Sequence, residues 1–177
     1  MKKEILNRAK KIKLIAMDLD GVLTKGEMIV LESGEEIKIW DIRDRLAYTL
    51  LKKSGLIIDL AWITGRASKQ VAIRASELKI KYLYQGIPDK LVPFEEIVKT
   101  GNYKYSEIAF LGDDWLDIPL LKRAGLSICP KDAVPEVRKI ARYISKYNGG
   151  YGVFREAVEI ILRAQGAYRR VFGIYNK

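Results

Sequence analysis

Histidine is missing altogether from this chain, and cysteine occurs once. The first absence removes Ser-His-Asp and Cys-His triads, histidine-ligated zinc and phosphohistidine chemistry. Any catalysis must therefore run on carboxylates, lysine, hydroxyls or a metal held by oxygen. The second removes an internal disulfide. Cys129 lies in the apolar stretch GLSICP and is expected to be a small buried hydrophobe. No apolar run reaches the length of a membrane span, and the opening MKKEILNRAKKIK lacks the apolar segment and cleavage site of a secretory signal. A cytoplasmic protein with no membrane partner is expected.

Acidic residues are also in short supply, 22 against 32 Lys and Arg, which leaves a net charge of +10. The basic residues are spread along amphipathic segments and do not interleave with aromatics as in an RNA-binding surface, so nucleic acid is not the expected partner. Attraction of a small anionic substrate is the better use of the excess. The 177 residues, 49% of them hydrophobic, suffice for one domain with a real core.

Periodicity organises the chain. Residues 2–12 read as a short amphipathic helix, and KLIAMDL as a strand buried on both faces. EMIVL and EIKIW flank ESGE as a hairpin, whose Met28, Val30, Ile37 and Ile39 offer more apolar surface than one face needs and suggest a partner subunit beneath it. A helix over about 42–53 ends at Gly55, strand LIIDLAWIT follows, then a helix over 68–79 and strand KYLYQ. A helix through FEEIVK must hold Pro93 in its first turn. Strand IAFLG, helix LDIPLLKRA, strand LSICP, a short helix after Pro135 and a helix over about 153–165 complete the series. The spacing predicts an α/β, doubly wound (Rossmann-like) parallel sheet with helices on both faces, a single domain over 1–177 with a hairpin at 27–40 and a basic aromatic tail at 167–177.

In such sheets the ligand crevice lies outside the carboxyl ends of the strands. IAMDLDGVLT places Asp18 and Asp20 there, two apart and therefore on one side of the chain. ITGR brings Thr64 and Gly65 to a second strand end, GIPDK brings Lys90 to a third, and GDDWLD brings Asp113 and Asp114 to a fourth. Convergence of acidic and cationic groups from separate strand ends is more specific than any of the motifs alone. Gly21 would let the backbone turn sharply away, and Gly65 would let N–H groups approach an anion.

This set resembles the haloacid dehalogenase superfamily of phosphotransferases, whose signature motifs match DLDGVLT, ITGR, the lysine of PDK and GDD in order over about residues 12–166. The resemblance implies Asp18 as nucleophile, Asp20 as general acid and base, Thr64 as a phosphoryl-binding residue and Lys90 as charge neutraliser. It also implies a Mg2+ ion held by Asp18, the Asp20 carbonyl and Asp113. Elementary electrostatics agrees. A carboxylate approaching a phosphate dianion meets two like-charge interactions of about 4 kcal/mol each at 4 Å and an effective dielectric near 20, which only a nearby cation offsets.

Within the superfamily, the hairpin followed by DIRD, WITGRASKQVAIRA, LYQGIPDKL, GDDWLDIPLL and NGGYGVFREAVEIILRAQG resembles the family of 3-deoxy-D-manno-octulosonate 8-phosphate phosphatases of lipopolysaccharide precursor synthesis. That resemblance implies a homotetramer with packed hairpins, a neighbour's tail over the active site, and an anionic sugar phosphate substrate held at its sugar and carboxylate end by Arg43, Asp44, Arg66 and Arg74. Arginine suits a carboxylate because its planar fork engages both oxygens. The chain departs from that family at Asp41, Arg45 and Thr49. Arg45 could fill the sugar pocket or supply the cation that Thr49 lacks. A related nine-carbon sugar acid phosphate, or broader phosphomonoesters, remain as substrates, and a noncatalytic oligomeric scaffold is the reading from another class.

Overall fold

The computed structural model describes residues 2–176. Helix α1 (Lys3–Ala9) leads into β1 (Leu14–Met17), followed by the two-residue strands β2 (Ile29–Val30) and β3 (Glu36–Ile37) and helix α2 (Ile42–Ser54). The alternation then runs β4 (Asp59–Ile63), α3 (Lys69–Leu78), β5 (Tyr82–Tyr84), α4 (Leu91–Thr100), β6 (Ile108–Leu111), α5 (Ile118–Arg123), β7 (Leu126–Cys129), α6 (Pro135–Ile140) and β8 (Tyr143–Ile144). Helices α7 (Val153–Ala164) and α8 (Tyr168–Tyr175) close the chain. Pro93 is the third residue of α4, inside the first turn, where its missing N–H costs nothing.

Six strands form one parallel sheet in the order β5-β4-β1-β6-β7-β8. β1 is central, pairing with β4 through Ala16↔Ala61 and with β6 through Ala16↔Phe110. Because side chains alternate across a strand, Ile15 and Met17 enter the core shared with α1, α2, α3 and α7, whereas Leu14 and Ala16 enter the one beneath α4, α5 and α6. Burial on both faces explains why β1 reads as an unbroken apolar run. Cys129 is fully buried in the second core, and burial pushes its thiol up to about 12, so it is inert filling as expected.

Two elements differ from expectation. β8 escapes the sequence pattern because it is two residues long. The tail carries a helix that the periodicity did not show: residues 168–175 form α8, with Val171 buried and Arg170 donating to the Ser54 carbonyl at the C-terminal end of α2. The hairpin exists, but its pairing is short, Ile29↔Ile37 and Val30↔Glu36, and Met28, Val30, Ile37 and Ile39 are all exposed.

Candidate active site

All of the motif residues lie past the carboxyl ends of parallel strands. Asp18 follows β1, Thr64 follows β4, Lys90 caps α4 after β5, and Asp113 follows β6. The chain leaves β1 toward β4 on one side and reaches β6 on the other, so β1 and β6 flank the topological switch where a crevice opens. Asp18 is fixed there by its N–H, which donates to the Leu111 carbonyl at 3.0 Å.

Lys90 ties the site together. Its Nζ lies 2.7 Å from Asp18 Oδ2 and 2.8 Å from Asp117 Oδ1, with only 3% of its side chain exposed. Burial alone would lower the ammonium's pKa, but Asp18 and Asp117 outweigh it and hold the group above its ordinary value. Asp117 is fully buried, and its second oxygen accepts the N–H groups of Asp113 (2.9 Å) and Asp114 (3.3 Å). It therefore shapes the loop that presents Asp113. Sequence reasoning gave Asp117 no role, although a second acid four residues beyond GDD was the visible signal.

Carboxylate oxygens of Asp18, Asp113 and Asp117 come within 4.8 Å of one another. Burial pushes the Asp18 carboxyl up to about 7, with Asp117 adding to the rise and Lys90 opposing it. Asp113 rises to about 8 for the same first reason, then through Asp117 and Asp18. Asp18 Oδ1 and Asp113 Oδ1 are buried with no hydrogen-bond partner. Two orphaned hard oxygens beside a third carboxylate are a donor set that fits a Mg2+ ion. Since both oxygens of Asp117 are already engaged, Asp18 and Asp113 are the side chains free to ligate. The Asp20 side chain points elsewhere, so only its carbonyl is left for the metal role implied by resemblance.

Asp20 Oδ1 accepts Thr24 Oγ1 at 3.4 Å and the ammonium of Lys38, whereas its Oδ2 is buried and unpartnered. The turn between these acids is tightly made. Gly21 has φ +89, and a Cβ there would stand 2.1 Å from Asp113 Oδ2. Gly149 packs against the same turn, a Cβ there meeting the Gly21 carbonyl oxygen at 1.9 Å. Thr64 is buried, with its N–H on the Tyr84 carbonyl at 2.9 Å and its Oγ1 accepting Arg66 N–H at 3.4 Å. Gly65 beside it is exposed.

The expected sugar-end residues divide. Arg43 is exposed, bonds Asp41 through Nε (3.0 Å) and Nη2 (2.6 Å), and lies over the rings of Tyr147 and Tyr151. Arg66 pairs with Glu36 of the hairpin, and Arg74 with Glu77 at 2.6 Å. Asp44 is buried, and its Oδ1 accepts Arg155 N–H at 2.7 Å, capping α7. Burial pushes its carboxyl up to about 7. Arg45 Nη1 donates to Thr49 Oγ1 at 3.0 Å, so the cation introduced at 45 stands beside position 49.

A family model for haloacid dehalogenase-like hydrolases matches residues 61–156. The chain is 37% identical over 171 residues to 3-deoxy-D-manno-octulosonate 8-phosphate phosphatase of Yersinia pestis, covering 97% of this chain and 90% of that one. Among solved structures, the corresponding phosphatase of Moraxella catarrhalis, in complex with magnesium, phosphate and KDO, superposes with a TM-score of 0.94 at 37% identity and 99% coverage of both chains. The cobalt-bound form of the Haemophilus influenzae phosphatase gives 0.87 at 30% identity, covering 93% of this chain and 98% of that one.

Proposed function

We infer that this chain, which belongs to the haloacid dehalogenase-like hydrolase family, is a magnesium-dependent phosphatase that releases phosphate from 3-deoxy-D-manno-octulosonate 8-phosphate. The observation that carries the chemistry is the Lys90 bridge to Asp18, with Asp18 Oδ1 and Asp113 Oδ1 left free beside it. The substrate rests on similarity to phosphatases named for it, at 37% identity over nearly the whole chain.

Asp18 attacks phosphorus and the bond from phosphorus to the sugar oxygen breaks, leaving an aspartyl-phosphate. Asp20 in its acid form gives its proton to the departing alkoxide, then as a carboxylate takes one from the water that cleaves the aspartyl-phosphate. Lys90, 2.7 Å from Asp18, stabilises the anionic phosphoryl group, and Thr64 binds it from the next strand end. Magnesium, held by Asp18, Asp113 and the Asp20 carbonyl, supplies the charge neutralisation that lets two anions meet. Arg43, Arg66 and Arg74 recognise the sugar acid, with Arg45 serving as the cation beside Thr49. Asp44 acts at that end through the α7 cap it makes.

The same reading assigns a cytoplasmic homotetramer. Its support is the hairpin, where Met28 and Val30 on one face and Ile37 and Ile39 on the other are all exposed, more apolar side chains than a marginal two-stranded ribbon keeps in water alone. Among the described residues no helix is long and apolar enough to cross a membrane.

The test is inorganic phosphate release from 3-deoxy-D-manno-octulosonate 8-phosphate, a nine-carbon sugar acid phosphate and simple sugar phosphates, with Mg2+ and with chelator. Metal-dependent preference for the octulosonate supports the full assignment. Metal-dependent release without preference moves the substrate elsewhere, and no release from any ester sinks the enzymatic reading.

A further inference from the structure

Strand alternation gives the hairpin two unlike faces. Ile37 and Ile39 are exposed, whereas Glu36 and Lys38 turn inward and are largely covered. Glu36 meets Arg66 on the loop after β4, and Lys38 meets Asp20 on the loop after β1. Trp40, two residues on, stacks on the buried Trp62 with ring centroids 5.5 Å apart, fixing where the arm returns to the sheet. The side chain of Lys38 is 8% exposed, unlike the solvated charge that a hairpin lysine usually is.

We propose that Lys38 is a positioning residue for Asp20, selecting which of its oxygens moves the proton. The proposal rests on the phosphatase reading above. Oδ1 is committed twice, to Lys38 and to Thr24, while Oδ2 has neither partner nor solvent. An ammonium on one oxygen of a carboxylate fixes the plane of the group and leaves the other oxygen as the proton carrier. In the first step the proton leaves Asp20 Oδ2 for the sugar oxygen as its bond to phosphorus breaks. In the second, a water proton returns to Oδ2 as the water oxygen bonds phosphorus and the bond to Asp18 breaks. The hairpin thus contributes to the chemistry itself as well as covering the crevice.

A leaving-group comparison separates this role from general damage. A sugar alkoxide needs a proton to depart, and a nitrophenolate does not. In Lys38→Met, kcat/KM on the sugar phosphate should fall roughly tenfold or more beyond its fall on p-nitrophenyl phosphate, in the direction set by Asp20→Asn. Lys38→Arg should recover most of that difference. Glu36→Gln, which breaks the other hairpin pair and frees Arg66 at the sugar end but leaves Asp20 untouched, should keep the wild-type ratio of kcat between the two esters, its effect falling on KM for the sugar phosphate. Equal losses on both esters in Lys38→Met, or the same skew appearing in kcat in Glu36→Gln, overturns the proposal while leaving the phosphatase reading intact. Absence of phosphate release by the unmodified enzyme overturns both. Lys38→Gln is read by the same ratio, so that misfolding of the Met variant does not decide the outcome.

Discussion

The Asp117 carboxylate accepts the Lys90 ammonium at 2.8 Å with no part of its side chain in solvent. Its other oxygen caps the backbone of Asp113 and Asp114, so one side chain fixes both the site's cation and the loop that presents Asp113. Removing Asp117 leaves Lys90 with Asp18 as its one acid and leaves the N–H groups of Asp113 and Asp114 without their acceptor. Asp117→Ala should therefore cost about 1–3 kcal/mol of folding stability and lower turnover together, as measured by urea unfolding and phosphate release. A loss under about 1 kcal/mol, within the range of an exposed pair, would mean that Lys90 does not depend on Asp117.

Gly21 offers a more local test of metal binding. A methyl group there would overlap Asp113 Oδ2, and φ +89 already disfavours any side chain. Gly21→Ala should cost about 1–3 kcal/mol of stability from backbone strain. It should also weaken Mg2+ binding, read by titration calorimetry, about tenfold or more because the Asp113 carboxylate must move. Unchanged magnesium affinity would place the ion away from Asp113.

What could be read before folding follows from how each feature is encoded. β1 and β6 are legible because burial on both faces demands unbroken apolar runs, β4 and β7 because their runs are broken by a single polar residue each, Asp59 and Ser127, and the motif acids Asp18 and Asp113 are legible because they follow such runs. Asp117 is not, since its value lies in accepting three hydrogen-bond donors from two loops. Lys38 and Glu36 look like ordinary hairpin charges until the alternation of Ile37 and Ile39 outward turns them in. The helix in the tail is not legible because nothing local shows that Val171 packs into the core shared with α2 and α7.

The raised carboxyls give a pH signature with a definite sign. Asp18 at about 7 and Asp113 at about 8 both stand above the ordinary 3.8, so the folded protein keeps protons that the unfolded chain has lost. Their contribution is complete below roughly pH 4 and is lost as pH rises through about 7 to 8. With chelator present, Tm should fall between about pH 5 and pH 8.5. Magnesium competes with those protons, so its stabilising increment should be larger at the higher pH and should shrink in Asp113→Asn. An increment independent of pH would argue against both acids as ligands.

Deleting residues 168–177 tests two uses of the C-terminal helix at once. α8 buries Val171 and bonds Ser54 at the end of α2 remote from Asp41 and Asp44. Among the described residues α8 packs on α2 and α7, and its side-chain hydrogen bond goes to Ser54 and not to a residue of its own crevice. Loss of the Val171 burial alone should cost about 1.5–3 kcal/mol in urea unfolding. A lid supplied to a neighbouring copy predicts something further: turnover on 3-deoxy-D-manno-octulosonate 8-phosphate should fall more than turnover on p-nitrophenyl phosphate, because only the larger substrate reaches beyond the phosphoryl site. Equal falls on the two esters, together with the stability loss, would assign α8 to packing and leave the crevice without a tail over it.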